Sequence, residues 1–128
     1  MLAFASVYPI IGVSDIAEAM GFYGGTLGLK VMHQGPCGVL YQCGDSMLSI
    51  YETEYAGSNE ATYATWEVDD IEAEVQGLLA KGVNFERYYD IEGAVRSDYV
   101  YTMGDEKAAW FTDPDGNILC LHQLELTV

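Results

Sequence analysis

The sequence predicts an α+β fold: two βαβββ modules whose eight strands form a curled, partly open mixed sheet around a cleft. Three observations predict it. "GVSDIAEAM" at 12–20 resembles "EVDDIEAEV" at 67–75, with Val13, Asp15 and Ile16 matching Val68, Asp70 and Ile71 at one constant offset, as expected of a unit used twice. Each match opens a helix-period apolar stripe flanked by strand-like runs. Each copy then ends in two short runs joined by a turn sequence.

In the first copy, "FASVYPII" reads as a strand, and Ser14 or Asp15 can cap a helix. The apolar positions Ile16, Met20, Tyr23 and Leu27 fall on one helical stripe, and Gly28 ends it. "LKVMH" follows as a strand, and "GVLYQC", the turn Gly44-Asp45-Ser46 and "MLSIYE" form the hairpin. In the second copy, "ATYATWEV" leads to a helix capped by Asp69 or Asp70, with Ile71, Val75, Leu78 and Leu79 inward and Gly82 at its end. "VNFERY", "KAAWF", the turn Asp113 to Gly116 and "NILCLHQ" complete it.

The junction falls near "YAGSNE" at 55–60, so the modules are expected at 1–57 and 58–128 within one structural domain. Only "DIEGAVRSDYVYTMGDE" lacks a clean period. It reads as a long loop with a short strand at "DYVYTM".

Composition narrows the function. Twenty acidic residues against five basic give a formal charge of −15, which argues against nucleic acid and anionic membranes. The charge serves solubility or attracts a cationic ligand. The apolar runs are short, and "MLAFASVYPI" lacks a signal-peptide layout. Cys37, Cys43 and Cys120 are odd in number and spaced unlike a zinc knuckle or a redox pair. Reduced thiols in the cytoplasm are the expectation.

Two curled sheets would enclose a pocket between their concave faces, and strand parity decides which side chains line it. Tyr8 and Tyr63 stand five residues before Val13 and Val68, at matching places on matching strands. Tyr51 and Cys120 lie late on the last strands of the two hairpins. By parity Trp66 points to the helix side, Phe111 belongs to the core, and Trp110 is free to line the cavity with His122.

The duplication, "SDIAEAMGFYGGTLGLKV" and above all "FTDPDGNIL" resemble the vicinal oxygen chelate superfamily of glyoxalases, bleomycin-resistance proteins, fosfomycin-resistance enzymes and extradiol dioxygenases. The resemblance covers nearly the whole chain. It implies that four converging positions, which hold His, Glu or Gln ligands in metal-dependent members, fall here on Tyr8, Tyr51, Tyr63 and Cys120.

Three phenols with ordinary pKa values of about 10 and one thiol suit a divalent cation poorly. No metal, cofactor or catalytic residue is therefore assigned. A slipped register could rebuild a metal site from Glu52, Glu67 and His122, though Glu52 would need a bulge to turn inward. His33, at the end of "LKVMH", reads as a loop-edge histidine rather than a ligand.

With phenols in those corners the cleft becomes an aromatic box suited to a planar or cationic organic molecule. Tyr8, Tyr51, Tyr63, Trp110, Cys120 and His122 are the expected ligand-binding residues. Their bland alternative is packing in the sheet, and Cys120 is expected as a small buried filler. The expected role is metal-independent sequestration of a toxic or antibiotic compound by a homodimer. The alternatives are a lyase, isomerase or dioxygenase-like enzyme and a partner-binding module. A Cys120–His122 pair is disfavoured as a dyad, because residues two apart on a strand hold their Cβ atoms parallel and about 6–7 Å apart.

Overall fold

The computed structural model describes residues 1–87 and 91–125. They divide into two compact units, Met1–Ser58 and Asn59–Val128. Among the described residues, no helix is long and apolar enough to cross a membrane.

The first unit runs β1 (Ile10–Val13), α1 (Ile16–Met20), β2 (Lys30–Gly35), β3 (Gly38–Cys43) and β4 (Ser46–Glu52), with sheet order β1-β4-β3-β2. Its first strand starts later than "FASVYPII" suggests. Proline has no N–H to donate to a ladder, and regular pairing begins immediately after Pro9, whose carbonyl accepts from the Ser49 N–H at 3.0 Å. Tyr8 therefore lies ahead of β1.

Asp15 caps α1 by accepting from the Glu18 N–H at 3.1 Å. The helix then widens into a π-helical segment, Gly21–Thr26, in which the Leu27 N–H donates to the Phe22 carbonyl at 2.8 Å. Ala19 and Tyr23 are the buried pair, while Ile16, Met20 and Leu27 are half-buried. They cover the buried sheet face of Ile11, Val13, Val39, Tyr41, Leu48 and Ile50.

Tyr41 is fully buried there, and among the described residues its hydroxyl has no hydrogen-bond partner. Burial also raises its pKa. An unpaired buried hydroxyl carries a desolvation cost. Tyr41→Phe should accordingly leave stability unchanged or raise it by about 1 kcal/mol, as urea denaturation would show; a clear loss would reveal a partner for the hydroxyl.

The second unit runs β5 (Thr62–Glu67), α2 (Ile71–Ala80), β6 (Asn84–Glu86), β7 (Val95–Ser97), β8 (Val100–Met103), β9 (Glu106–Thr112) and β10 (Ile118–Leu124). Sheet order is β5-β10-β9-β8-β7, and β6 pairs with β9 as well. Asp70 caps α2 through the Ala73 N–H at 3.2 Å. The helix closes as a Schellman motif at Gly82 (φ 84°), with Val83 N–H donating to the Leu78 carbonyl and Gly82 N–H to that of Leu79. Ile71 and Val75 are buried, and Leu78 and Leu79 half-buried, as their spacing predicts.

Among the described residues, ten strands in two sheets replace the expected eight, because the aperiodic stretch holds a hairpin, β7–β8, rather than a loop with one strand. β6 occupies one half of the β9 edge, opposite Trp110 to Thr112, and β8 the other, opposite Glu106 to Ala108. The hairpin turns through Asp98 in the left-handed region (φ 57°). Arg87 pins that turn: its guanidinium pairs with Asp98 at 2.9 Å and lies 4.6 Å from the centre of the Tyr99 ring.

One face of this sheet packs on α2. Phe111 and Leu119 are buried there, and Trp66 stacks on Phe111 with centroids 6.0 Å apart. Trp66 and Phe111 thus lie where parity predicts.

Candidate functional site

The turn that carries the family resemblance is built by Asp113. Its Oδ1 accepts from the Asp115 N–H at 3.0 Å and the Asn117 N–H at 2.8 Å, while Oδ2 accepts from Asn117 Nδ2 at 2.8 Å. Asn117 is wholly buried and Asp113 nearly so. This lock sets the register in which β10 returns along β9, with Cys120 opposite Trp110 and His122 opposite Ala108.

On the far side, β10 runs parallel to β5 with Cys120 opposite Thr65 and His122 opposite Glu67. The pairing skips one residue, since Ile118 opposes Thr62 and Leu119 opposes Ala64. Tyr63 is the extra residue of that bulge, a device that re-aims a side chain.

Because alternate residues share a face, Trp110, Cys120 and His122 lie together on the face turned away from α2, beside the Tyr63 bulge. Trp110 is half-buried: its Nε1 donates to Thr62 Oγ1 at 3.2 Å, and its ring meets Tyr101 edge-on at 5.6 Å. Cys120 is 5% exposed and its thiol donates to the Leu121 carbonyl at 3.2 Å. Burial pushes that thiol up to about 11, against opposing hydrogen bonds that include Thr65. It is a neutral thiol near pH 7, unsuited to act as a nucleophile or thiolate ligand.

His122 has both ring nitrogens engaged. Nδ1 meets Glu67 Oε2 at 2.6 Å and Nε2 meets Glu106 Oε1 at 3.0 Å. The hydrogen bond to Glu67 is the main cause holding His122 above its ordinary value, and it holds Glu67 below its own. His122 and Cys120 therefore form no dyad. Sequence reading missed Glu106, which reaches His122 diagonally across the β9–β10 hairpin; pairing outward from the Asp113–Gly116 turn would have found it.

A pH dependence follows. His122 binds its proton more tightly folded than unfolded, so its contribution to stability is full below the unfolded imidazole value and fades as pH rises through the folded one. Glu67 is depressed, so its contribution is full above the unfolded carboxylate value and fades as pH falls through the folded one. The stability difference between the wild type and His122→Gln should be greatest between about pH 4.5 and 6.5 and shrink on both sides, as urea denaturation across pH would measure.

In the first unit, Tyr8 and Tyr51 are 37% and 41% exposed, so neither is a core residue. Tyr51 borders a cavity of about 280 Å³ with Glu52 and the Gly35–Gly38 turn, where Cys37 is exposed. His33 lies within β2, two residues short of its end, and is exposed.

The strand registers change the expected correspondence. Gly12 lies opposite Tyr51, and its repeat mate Glu67 lies opposite His122. Tyr51 thus corresponds to His122, and Cys120 to Ser49, which faces Ile10 as Cys120 faces Thr65. Counting from turns of unequal length caused the two-residue slip.

Glu52 is the counterpart of Gln123. Glu52 Oε1 accepts from the Ile16 N–H at 3.0 Å, and Gln123 Oε1 from the Ile71 N–H at 2.8 Å. Both tie the last strand of a unit to the start of its helix, satisfying an N–H that a helix cannot bond internally. Glu52 is thus committed to the helix side of its sheet. Among the described residues, no group of three or more His, Cys, Asp and Glu is placed to hold a metal ion.

Comparison with known proteins agrees with this architecture. The chain is 29% identical to the metallothiol transferase FosB of Staphylococcus saprophyticus over 116 residues, covering 86% of this chain and 70% of that protein. The crystal structure of SMU.1112c superposes with a TM-score of 0.68 at 27% identity, covering 92% of this chain and 97% of that one. TnmS3, an antibiotic binding protein from Streptomyces sp. CB03234, superposes with a TM-score of 0.69 at 22% identity, covering 98% and 99%, and shows the shared fold. The family description "Glyoxalase/Bleomycin resistance protein/Dioxygenase superfamily" matches residues 5–121. With that match over nearly its whole length, and the Asp113-to-Asn117 lock at the turn where the resemblance is strongest, the chain belongs to the glyoxalase/bleomycin resistance protein/dioxygenase superfamily.

Proposed function

We propose that this protein binds a small organic molecule without a metal ion and sequesters it, the ligand being a planar or cationic toxic or antibiotic compound. The observation that carries the reading is the chemistry at Tyr8, Tyr51, Tyr63 and Cys120: phenols, two of them exposed, and a buried neutral thiol. Such groups offer flat apolar faces and single hydroxyls for orientation, and a poor bed for a hard cation. Within the second unit Trp110 and His122 share the face of Cys120, and within the first unit a cavity beside Tyr51 offers concave space. In this reading the protein acts in the cytoplasm as a homodimer. The net charge of −15 favours approach of a cationic compound.

The metallothiol transferase relative favours a second reading, a metal-dependent enzyme of the lyase, isomerase or transferase kind. Thermal-shift measurements with divalent metals, bleomycin-like cationic drugs and aromatic metabolites separate the two. Sequestration predicts that a drug at a hundred times its Kd adds about 2.7 kcal/mol of stability, unchanged by a chelator. Trp110→Ala and Tyr51→Ala should weaken that binding about tenfold or more. Stabilisation by metal alone, or drug stabilisation that a chelator abolishes, would overturn the reading in favour of the enzyme. A response to neither would point to a partner-binding module.

A further inference from the structure

Glu67, His122 and Glu106 come from three adjacent strands, β5, β10 and β9, and meet near the end of β10. His122 sits between the carboxylates with each ring nitrogen turned to a different one, at 2.6 and 3.0 Å. Only the imidazolium carries an N–H on both nitrogens. A neutral imidazole satisfies one carboxylate and turns a lone pair on the other.

Glu67 also has a second task. Its Oε1 accepts from the Leu124 N–H at 2.8 Å, so the carboxylate that holds His122 also holds the last residue of β10. The Glu125 N–H donates to the Asp105 carbonyl at 2.9 Å, one residue before Glu106. The end of the strand is thus attached through the Glu67 carboxylate itself and through the backbone of the residue before Glu106.

We propose that His122 is a proton-operated clasp, which fastens the end of β10 to β5 and β9 while protonated and releases it when the imidazole loses its proton. Among the described residues, the other titratable side chains on this face are Tyr63 on β5, Cys120 on β10, Tyr101 on β8, Glu86 on β6 opposite Trp110 and Arg96 on β7 opposite Tyr101, and Arg96 Nη1 donates to the Asp98 carbonyl at 3.2 Å. Lys107 of β9 is turned to the opposite face, where its Nζ pairs with Glu72 of α2 at 2.9 Å. Asp105 lies in the β8–β9 turn and contributes a backbone carbonyl. The raised His122 and depressed Glu67 agree in direction with contacts that favour the protonated ring. The device stands on these contacts alone and does not depend on what the protein binds.

Nuclear magnetic resonance on the full chain tests it, following the His122 ring nitrogens and the amide exchange of Leu124 and Glu125 across pH. The clasp predicts a His122 midpoint above the ordinary imidazole value of about 6.5. After correction for intrinsic base catalysis, Leu124 exchange should rise about tenfold or more through that midpoint. Glu67→Gln and Glu106→Gln should each lower the midpoint, and His122→Gln should remove the step. Exchange at Leu124 that ignores the His122 titration, or a midpoint that neither glutamine variant moves, would overturn the proposal.

Discussion

Gly38→Ala should cost about 3 kcal/mol or more, in a protein whose total stability is expected to be only about 5–15 kcal/mol. Gly38 begins β3 with φ at 118°, a region that side chains rarely enter, and an added Cβ would stand 2.0 Å from the Ile50 carbonyl oxygen. It would also press on the Tyr51 Cβ at 3.2 Å. The obstruction is backbone of the neighbouring strand, so relief requires β3 and β4 to part where Val39 pairs with Ile50. That pairing joins the buried face of the sheet to the cavity beside Tyr51. Urea denaturation would show the loss as a lower midpoint. Gly25→Ala is the control: among the described residues, no heavy atom outside its own helix backbone and chain neighbours lies within 4 Å of its added Cβ, and it should be neutral or raise stability by up to about 1 kcal/mol. Equal losses from both substitutions would refute the steric argument.

Asp113→Ala is the second large effect, expected at about 3 kcal/mol. It strips the acceptor from three donors, the N–H groups of Asp115 and Asn117 and the Asn117 side-chain amide. Asn117 is fully buried, so water cannot freely replace what is lost. The damage should spread beyond the turn, because the turn sets how β10 returns along β9 and therefore where Cys120 and His122 lie. Asp113→Asn keeps one carbonyl acceptor but sets an amide against the amide of Asn117, so it should cost about 1–2 kcal/mol less than alanine. Denaturation curves for the pair, with the His122 ring resonances as a reporter of the face, would measure both consequences. An alanine variant as stable as the wild type would show that the turn merely connects its strands.

Much of the fold was legible because its signals are local. The Asp15 and Asp70 caps, the Gly82 helix end and the Asp113–Gly116 turn each involve residues a few positions apart, so residue type alone announces them. Trp66 and Phe111 lay where period-two alternation put them. The β7–β8 hairpin was hidden because its strands span only three and four residues and its turn uses Asp98, not glycine, in the left-handed region. The π-helical widening at Gly21–Thr26 was hidden too, since it leaves the apolar spacing almost unchanged.

By itself, then, the sequence determined the duplicated strand–helix–strand unit and its caps and turns; that phenols and a thiol stand where relatives hold metal ligands is what the family resemblance implies. Only the tertiary structure decided how the carboxylates of Glu52, Glu67 and Glu106 and the Gln123 amide are used. Glu52 and Gln123 bond the first helical N–H groups of their units, while Glu67 and Glu106 close on His122 from opposite sides. Such partners lie between 16 and 55 residues apart. A one-residue change in strand register would send each to the other face. Alternation of polar and apolar residues tells which face a side chain takes once the register is known, and the register itself is set by strands pairing across the folded sheet.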